Sequence, residues 1–400
     1  SQSRQWEEAM FESTDQANAA AARLEDNRSE IDHAIAAQID WLIQHGPAAD
    51  DPFIGAIYRW LEHYLHVAGK RFHGLTAILS YRAAGYSDVS AVLPVAAALQ
   101  LYHHHTLVHD DIYDGDVMRR GLPTSHVRLA SLFEGETTGA GDPKPFASRD
   151  DRSGVIAAFA YGKICRALAN RAVSSAPLDG GSVLTILTML EEHDLWDNVG
   201  QLLDVYHEGS RLPSPEACLR NVWLKTGRLF EICARAGAVA AGADPSITSA
   251  LVSWAGHLAV AYQLKDDLED TVADSEKGLG RGVGVDLVAL KPTYLLSLAN
   301  ELADGQDRAR ISAWLNREQD YTVEEFSALI DRTGARRATQ LKIEELISAG
   351  LAIVGALGTV RPDVLSELAE LSRYAISDEY WRRPLVDERS TVADTGASDG

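Results

Sequence analysis

The sequence predicts an all-α protein, and three observations carry that expectation. Apolar residues recur every three to four positions over long stretches of the 400 residues, the period of one helix face. Strand-like alternation of apolar and polar residues is almost absent. No linker divides the chain cleanly, so one large helical domain over residues 21–383 is the simplest organisation.

Taken in order, residues 1–20 are polar and expected to be a flexible N-terminus. Helical spacing begins at about Ala21 and runs to Gln44, and further helices are expected over 52–67, 72–83 and 90–114. Gly85-Tyr86-Ser87-Asp88 forms a turn that offers an N-cap residue. Residues 133–153 are low in apolar content and read as a loop insertion, long for a structureless connection. Helical spacing resumes over 154–175, 181–207, 215–241, 247–270, 292–303, 324–350 and 361–380. Residues 384–400 read as a disordered tail.

Composition narrows the function. A hydrophobic content of 46% supplies a large core. No apolar run reaches the 18 residues of a membrane span, and the N-terminus lacks the basic and apolar regions of a signal peptide. A cytoplasmic protein is expected. Cys165, Cys218 and Cys233 show no metal-ligand spacing and are expected as reduced, mostly buried thiols. A formal net charge of -21 argues against nucleic acid or an acidic membrane surface as partner.

Two acidic clusters carry the chemistry: Asp110-Asp111-Ile112-Tyr113-Asp114 and Asp266-Asp267-Leu268-Glu269-Asp270. Each places carboxylates at i, i+1 and i+4, so each trio shares one side of a helix. Carboxylates that close repel one another and call for a cation between them. Oxygen-only donors select a hard divalent ion, and Mg²⁺ held jointly by carboxylates and substrate phosphates fits best. Arg119 and Arg120 follow the first cluster, and a guanidinium presents a forked donor to phosphate oxygens. Gln263 lies one turn before the second cluster, placed to donate to a phosphate or to steady a carboxylate.

The segments GKRFHG (69–74), HHHTLVHDDIYDGDVMRRGLPTSH (103–126), LKTGRLF (224–230), YQLKDDLED (262–270) and GRGVGVDLVALKPT (280–293) resemble the trans-type isoprenyl diphosphate synthases, in order and rough spacing, over about residues 30–380. The resemblance implies an isoprenoid-synthase-type helical bundle around a deep central cavity. It implies condensation of an allylic diphosphate with isopentenyl diphosphate, releasing pyrophosphate, with about three Mg²⁺ between the aspartate motifs and Mn²⁺ as a substitute. It also implies a homodimer. Residue by residue, Asp110, Asp111 and Asp114 resemble the first metal cluster, and Asp266, Asp267 and Asp270 the second. Arg119, Lys225 and Lys291 resemble the grip on the allylic diphosphate, with Thr226 and Gln263 lining the same pocket. Lys70, His103 and Arg120 resemble the isopentenyl diphosphate ligands.

The chain departs from that pattern in places. His73 stands where the family has an arginine, and an imidazole cannot form the bidentate contact. Lys163 follows Gly162 where an aspartate is common, and Arg281 replaces a frequent lysine. His73 keeps open a cyclase-like or irregular-coupling reaction that ionises one allylic diphosphate alone. A non-catalytic subunit would be expected to lose one aspartate cluster, and a phosphohydrolase would not need the apolar stretches before both.

Product length is expected to depend on the helix that carries Asp110. At 1.5 Å per residue, His105 lies roughly 7.5 Å and Tyr102 roughly 12 Å from Asp110 along the axis. In the family a large residue at the position of His105 or its successor shortens the product, and the successor here is the small Thr106. A floor at Tyr102 suits geranylgeranyl diphosphate, with farnesyl diphosphate as the alternative. Tyr102 packed into a neighbouring helix is the competing expectation.

Overall fold

The apolar period is realised as helix along nearly the whole described chain. The computed structural model describes residues 14–67, 69–119, 121–133, 149–207, 212–271, 291–316, 318 and 322–376. The helices are α1 (Thr14–His45), α2 (Pro52–Val67), α3 (Phe72–Ala83), α4 (Leu93–Tyr113), α5 (Ser125–Ala130), α6 (Arg149–Ser174), α7 (Gly180–His207) and α8 (Pro215–Val222). There follow α9 (Arg228–Ala240), α10 (Pro245–Glu269), α11 (Tyr294–Leu302), α12 (Gly305–Leu315), α13 (Val323–Thr333), α14 (Ala335–Gly355) and α15 (Pro362–Ala375).

Several boundaries differ from the sequence expectation, each for a local reason. The first helix starts at Thr14, so residues 14–20 are helical, and Gln16 anchors that turn by donating to Ser366 on α15. Likewise α6 begins at Arg149, which makes 149–153 helix instead of loop. The expected helix over 215–241 is interrupted by a π-helical turn at Trp223–Gly227. The one over 324–350 breaks at Gly334, whose φ of 80° suits a residue without Cβ. Two helices were not anticipated: short α5, and α12, which Asp304 caps by accepting from the backbone N–H of Gln306 and Asp307. A two-residue hairpin pairs Met118–Arg119 with Leu122–Pro123, turning at Gly121. Residues 134–148 of the expected insertion and the 384–400 tail lie outside the described residues.

The centre is α3, α4, α9 and α10. Every residue of α3 except Arg82 is buried, and α4 is buried from Val95 through Tyr102. Small residues let these helices touch through their backbones. A Cβ on Gly237 of α9 would fall 2.0 Å from the carbonyl oxygen of Ala77 on α3, and one on Gly74 would meet Ala96 O of α4 at 3.2 Å. The N-terminal helix is tied down by charge: Arg23 and Arg82 both reach the fully buried Glu367 of α15, at 2.5 and 3.1 Å. Asp32 of α1 accepts from Arg71 at 2.5 Å, just before α3. Burial pushes the Glu367 carboxyl up, against the pull of the two arginines.

Gly237→Ala should therefore wedge α9 off α3. Because the obstacle is backbone, the cost should reach about 1–3 kcal/mol or more, read as a lower urea midpoint, whereas Gly355→Ala, where nothing lies within 4 Å, should be tolerated.

Candidate active site

Both aspartate clusters end helices. Asp114 caps α4, where Gly115 (φ 68°) turns the chain away, and Asp270 caps α10. A helix C-terminus is the negative end of the peptide dipole, so the carboxylates add to an unfavourable field. Between these ends lies a cavity of about 790 Å³, walled by α4, α7, α8, α9 and α10.

Asp110, Asp114, Asp266 and Asp267 all line it, as do Arg119, Lys225, Thr226, Gln263 and Lys291. Their charges are interleaved. Lys291 Nζ is 2.8 Å from Asp114, and Gln263 donates to Asp267 at 3.0 Å while accepting from Thr226 at 3.4 Å. Lys70, His73 and His103 line the same space, with the His73 and His103 rings 3.9 Å apart. Arg120 lies outside the described residues.

Burial pushes the Asp110 carboxyl up, while Lys225 pulls it down. For Lys225 burial works toward the neutral form, but Asp204, Asp110 and Asp114 outweigh it and hold the ammonium above its ordinary value. Two devices aim this lysine. The wider π turn carries Lys225 and Thr226, and such bulges recur at functional sites. Across from it stands Gly200 of α7, where a Cβ would come 2.5 Å from Lys225 Cγ.

Other expected residues fall elsewhere. Asp111 is buried against Arg119, Nε to Oδ1 2.5 Å, and Asp270 is buried at the end of α10; neither lines the cavity. His105 does not reach the cavity either. It packs beside His109 against Gly162 of α6, and burial pushes its pKa down to about 3. Tyr102 is fully buried and spans to α7, its hydroxyl donating to Leu190 O at 3.1 Å and meeting His193 Nδ1 at 3.1 Å and Asp194. It is thus a strut between helices, and Thr106, one turn nearer Asp110, is the residue that faces the cavity.

The sequence reading missed a third polar row. Asp197, Gln201 and Asp204 of α7 line the cavity, and Lys225 Nζ donates to Gln201 at 2.8 Å and Asp204 at 2.6 Å. Their i, i+4, i+7 spacing was legible as one helix face, but spacing alone does not say which face turns inward. Burial, and then the charge of Asp110, push Asp197 up to about 7.

The oxygen-rich donor set suits a hard divalent cation. Among the described residues no three carboxylate, histidine or cysteine groups stand close enough to chelate one unaided. The ions would accordingly need substrate oxygens as further ligands, as Mg²⁺ commonly does.

The polyprenyl synthetase sequence profile matches residues 55–332. The chain belongs to that family. It is a prenyltransferase of the trans-prenyl diphosphate synthase type, and the family is Mg²⁺-dependent. A short chain isoprenyl diphosphate synthase of Methanothermobacter thermautotrophicus is 29% identical over 279 residues, covering 70% of this chain and 78% of its own. A geranylgeranyl diphosphate synthase of Methanosarcina mazei is 30% identical over 248 residues, covering 61% and 68%. Other relatives are named geranylfarnesyl and octaprenyl diphosphate synthases, so family membership leaves product length open. The crystal structure of a geranylgeranyl pyrophosphate synthase from Corynebacterium glutamicum, complexed with isoprenyl diphosphate and magnesium, superimposes with a TM-score of 0.72 at 23% identity, covering 88% of this chain and 98% of that one. At that identity the likeness is one of fold. Among the described residues no helix is long and apolar enough to cross a membrane.

Two expectations follow. Gly200→Ala should displace Lys225 and lower kcat/KM for the allylic substrate by about 10²-fold, the scale of an ångström-sized misplacement, with the circular dichroism spectrum retained. Because Asp197 is raised in the folded state, the unliganded protein should lose stability as pH rises from about 4 through 7; Asp197→Asn should flatten that slope in urea titrations at pH 5 and pH 8.

Proposed function

We propose that this prenyltransferase condenses an allylic diphosphate with isopentenyl diphosphate to give a linear trans-prenyl diphosphate, geranylgeranyl diphosphate being the product. The observation that carries it is one cavity holding two carboxylate pairs, Asp110 with Asp114 and Asp266 with Asp267, beside Lys225, Arg119 and Lys291. These aspartates would hold about three Mg²⁺, with Mn²⁺ suiting the same oxygen donors, and Asp111 and Asp270 would join only on leaving their buried positions. When bound, the ions neutralise diphosphate charge and stabilise what develops as the C1–O bond breaks.

The chain's own residues do the rest. Lys225, Arg119 and Lys291 grip the allylic diphosphate, and Thr226 and Gln263 orient it. Leu107, Leu229 and Phe230 line the cavity and exclude water from the allylic cation. Lys70, His73, His103 and Arg120 hold isopentenyl diphosphate so that its double bond attacks C1. The proton then lost goes to the departing pyrophosphate, and no side chain need act as base. Two groups of cationic or donor side chains in one cavity favour two diphosphates over a cyclase-like use of one.

Product length rests on Thr106 and Tyr102. Growth past Thr106 is bounded by the wall that the Tyr102 strut holds from behind, roughly 12 Å from Asp110 along α4. With about 4–5 Å added per five-carbon unit, that depth suits a C20 product, with C15 the alternative. A homodimer is also proposed: Leu195, Val199, Leu202 and Tyr206 form one exposed apolar stripe on α7, at 70, 45, 69 and 74% exposure. Sedimentation at micromolar concentration should give twice the chain mass.

The deciding experiment incubates purified protein and Mg²⁺ with geranyl or farnesyl diphosphate, with and without isopentenyl diphosphate. A longer linear diphosphate should form only with both; a hydrocarbon formed without the second substrate would overturn the reading. Asp110→Asn should reduce kcat by roughly 10²–10³-fold and leave the unliganded fold intact or steadier, since it removes a desolvated charge. Thr106→Phe should shift the product toward farnesyl diphosphate; an unchanged distribution would place the floor on another helix.

A further inference from the structure

His73 leaves the second diphosphate without the forked, permanently charged donor that an arginine would give, yet two other side chains converge on the same wall. On α1, Asp32 faces Arg71 at 2.5 Å, and Arg28 sits one turn earlier on the same helix face. Arg28 lines the cavity that Lys70, His73 and His103 line. Its Nη2 donates to Glu25 on its own helix at 2.7 Å, a pair with side chains 36% and 63% exposed. Such an exposed pair is weak and leaves the remaining guanidinium donors for the cavity.

Gln100 is the second. It lies on α4 one turn before His103, whose ring is 3.9 Å from that of His73, and one turn after Ala96, whose carbonyl abuts Gly74. It therefore faces the first turn of α3. Gln100 is only 6% exposed, lines the cavity, and its Nε2 has no hydrogen-bond partner among the described residues. A buried amide left so is costly unless something else completes it. The N-terminus of α3, with Arg71 providing no side-chain cap, directs backbone N–H groups to the same place.

We propose that Arg28 and Gln100 complete the subsite for the homoallylic diphosphate, Arg28 supplying the guanidinium that position 73 lacks and Gln100 a neutral donor. The N-terminal helix thereby becomes part of the substrate site. This rests on the two-substrate reading above, and its test is separable from it.

In the full chain, Arg28→Met should raise the KM for isopentenyl diphosphate about tenfold, the loss expected for a charge-assisted contact, with a much smaller change in the KM for the allylic substrate. Gln100→Leu should raise the same KM several-fold while raising the Tm of the unliganded protein, because an apolar near-isostere replaces an unpartnered amide. A purely structural role for Gln100 would lower the Tm and leave the KM ratio alone. Calorimetric titration of isopentenyl diphosphate into wild type and Arg28→Met gives an answer even if no condensation is seen. Equal affinity in the two proteins, or a KM rise shared equally by both substrates, would overturn the inference; absence of any product from wild type would instead overturn the two-substrate reading.

Discussion

The rest of the structure depends on a concentration of negative charge at two helix ends. Asp110, Asp111 and Asp114 end α4, and Asp266, Asp267 and Asp270 end α10, each set adding to the negative pole of its own helix. Burial makes this worse, and the raised pKa of Asp110 registers the strain. Cations from three other parts of the chain relieve it. Arg119 comes from the hairpin, Lys225 from the π turn, and Lys291 from the segment before α11. Ion pairs of this kind are weak holders of a fold. They are better understood as partners that a divalent ion and a diphosphate can displace together, which is what the proposed reaction asks of them.

Geometry that precise needs helices at fixed separations, and the sequence supplies it through residues with no chemistry of their own. Gly237 and Gly74 bring α3 against α9 and α4 at backbone contact, and Gly200 clears the path of the Lys225 stem. These positions set where charges stand. A methyl group at any of them acts on the site through the scaffold, so stability and activity are coupled there for steric reasons.

Sequence made the helices legible because a core-facing stripe at 3.6 spacing needs no tertiary knowledge to see: 72–83 falls on α3 without error, and 181–207 differs from α7 by one residue. The π turn was not legible, since one extra residue per turn leaves the apolar pattern over 215–241 nearly intact. Gly334 was, in hindsight, a plain break signal inside a helical pattern. At the site, the Asp clusters declared themselves by adjacency. Asp197, Gln201 and Asp204 did not, because a row spaced by four and three in an acidic chain looks like any solvated face until the helix is oriented.

The three consecutive histidines show how orientation decides role. Successive helix residues are about 100° apart, so His103, His104 and His105 point to three different walls. His103 meets His73 at the cavity. His104 shares a 2.7 Å hydrogen bond with the buried Tyr161 hydroxyl and packs on Tyr64. His105 turns to Gly162, where the missing Cβ leaves room for it and for His109. His103 and His104 both border the cavity, whereas His105 lies in the helix packing behind it. The same rotation takes His105 to Gly162 of α6 and leaves its successor Thr106 facing the cavity. A one-residue difference in position along α4 is therefore enough to separate a residue that lines the cavity from one packed in the wall behind it.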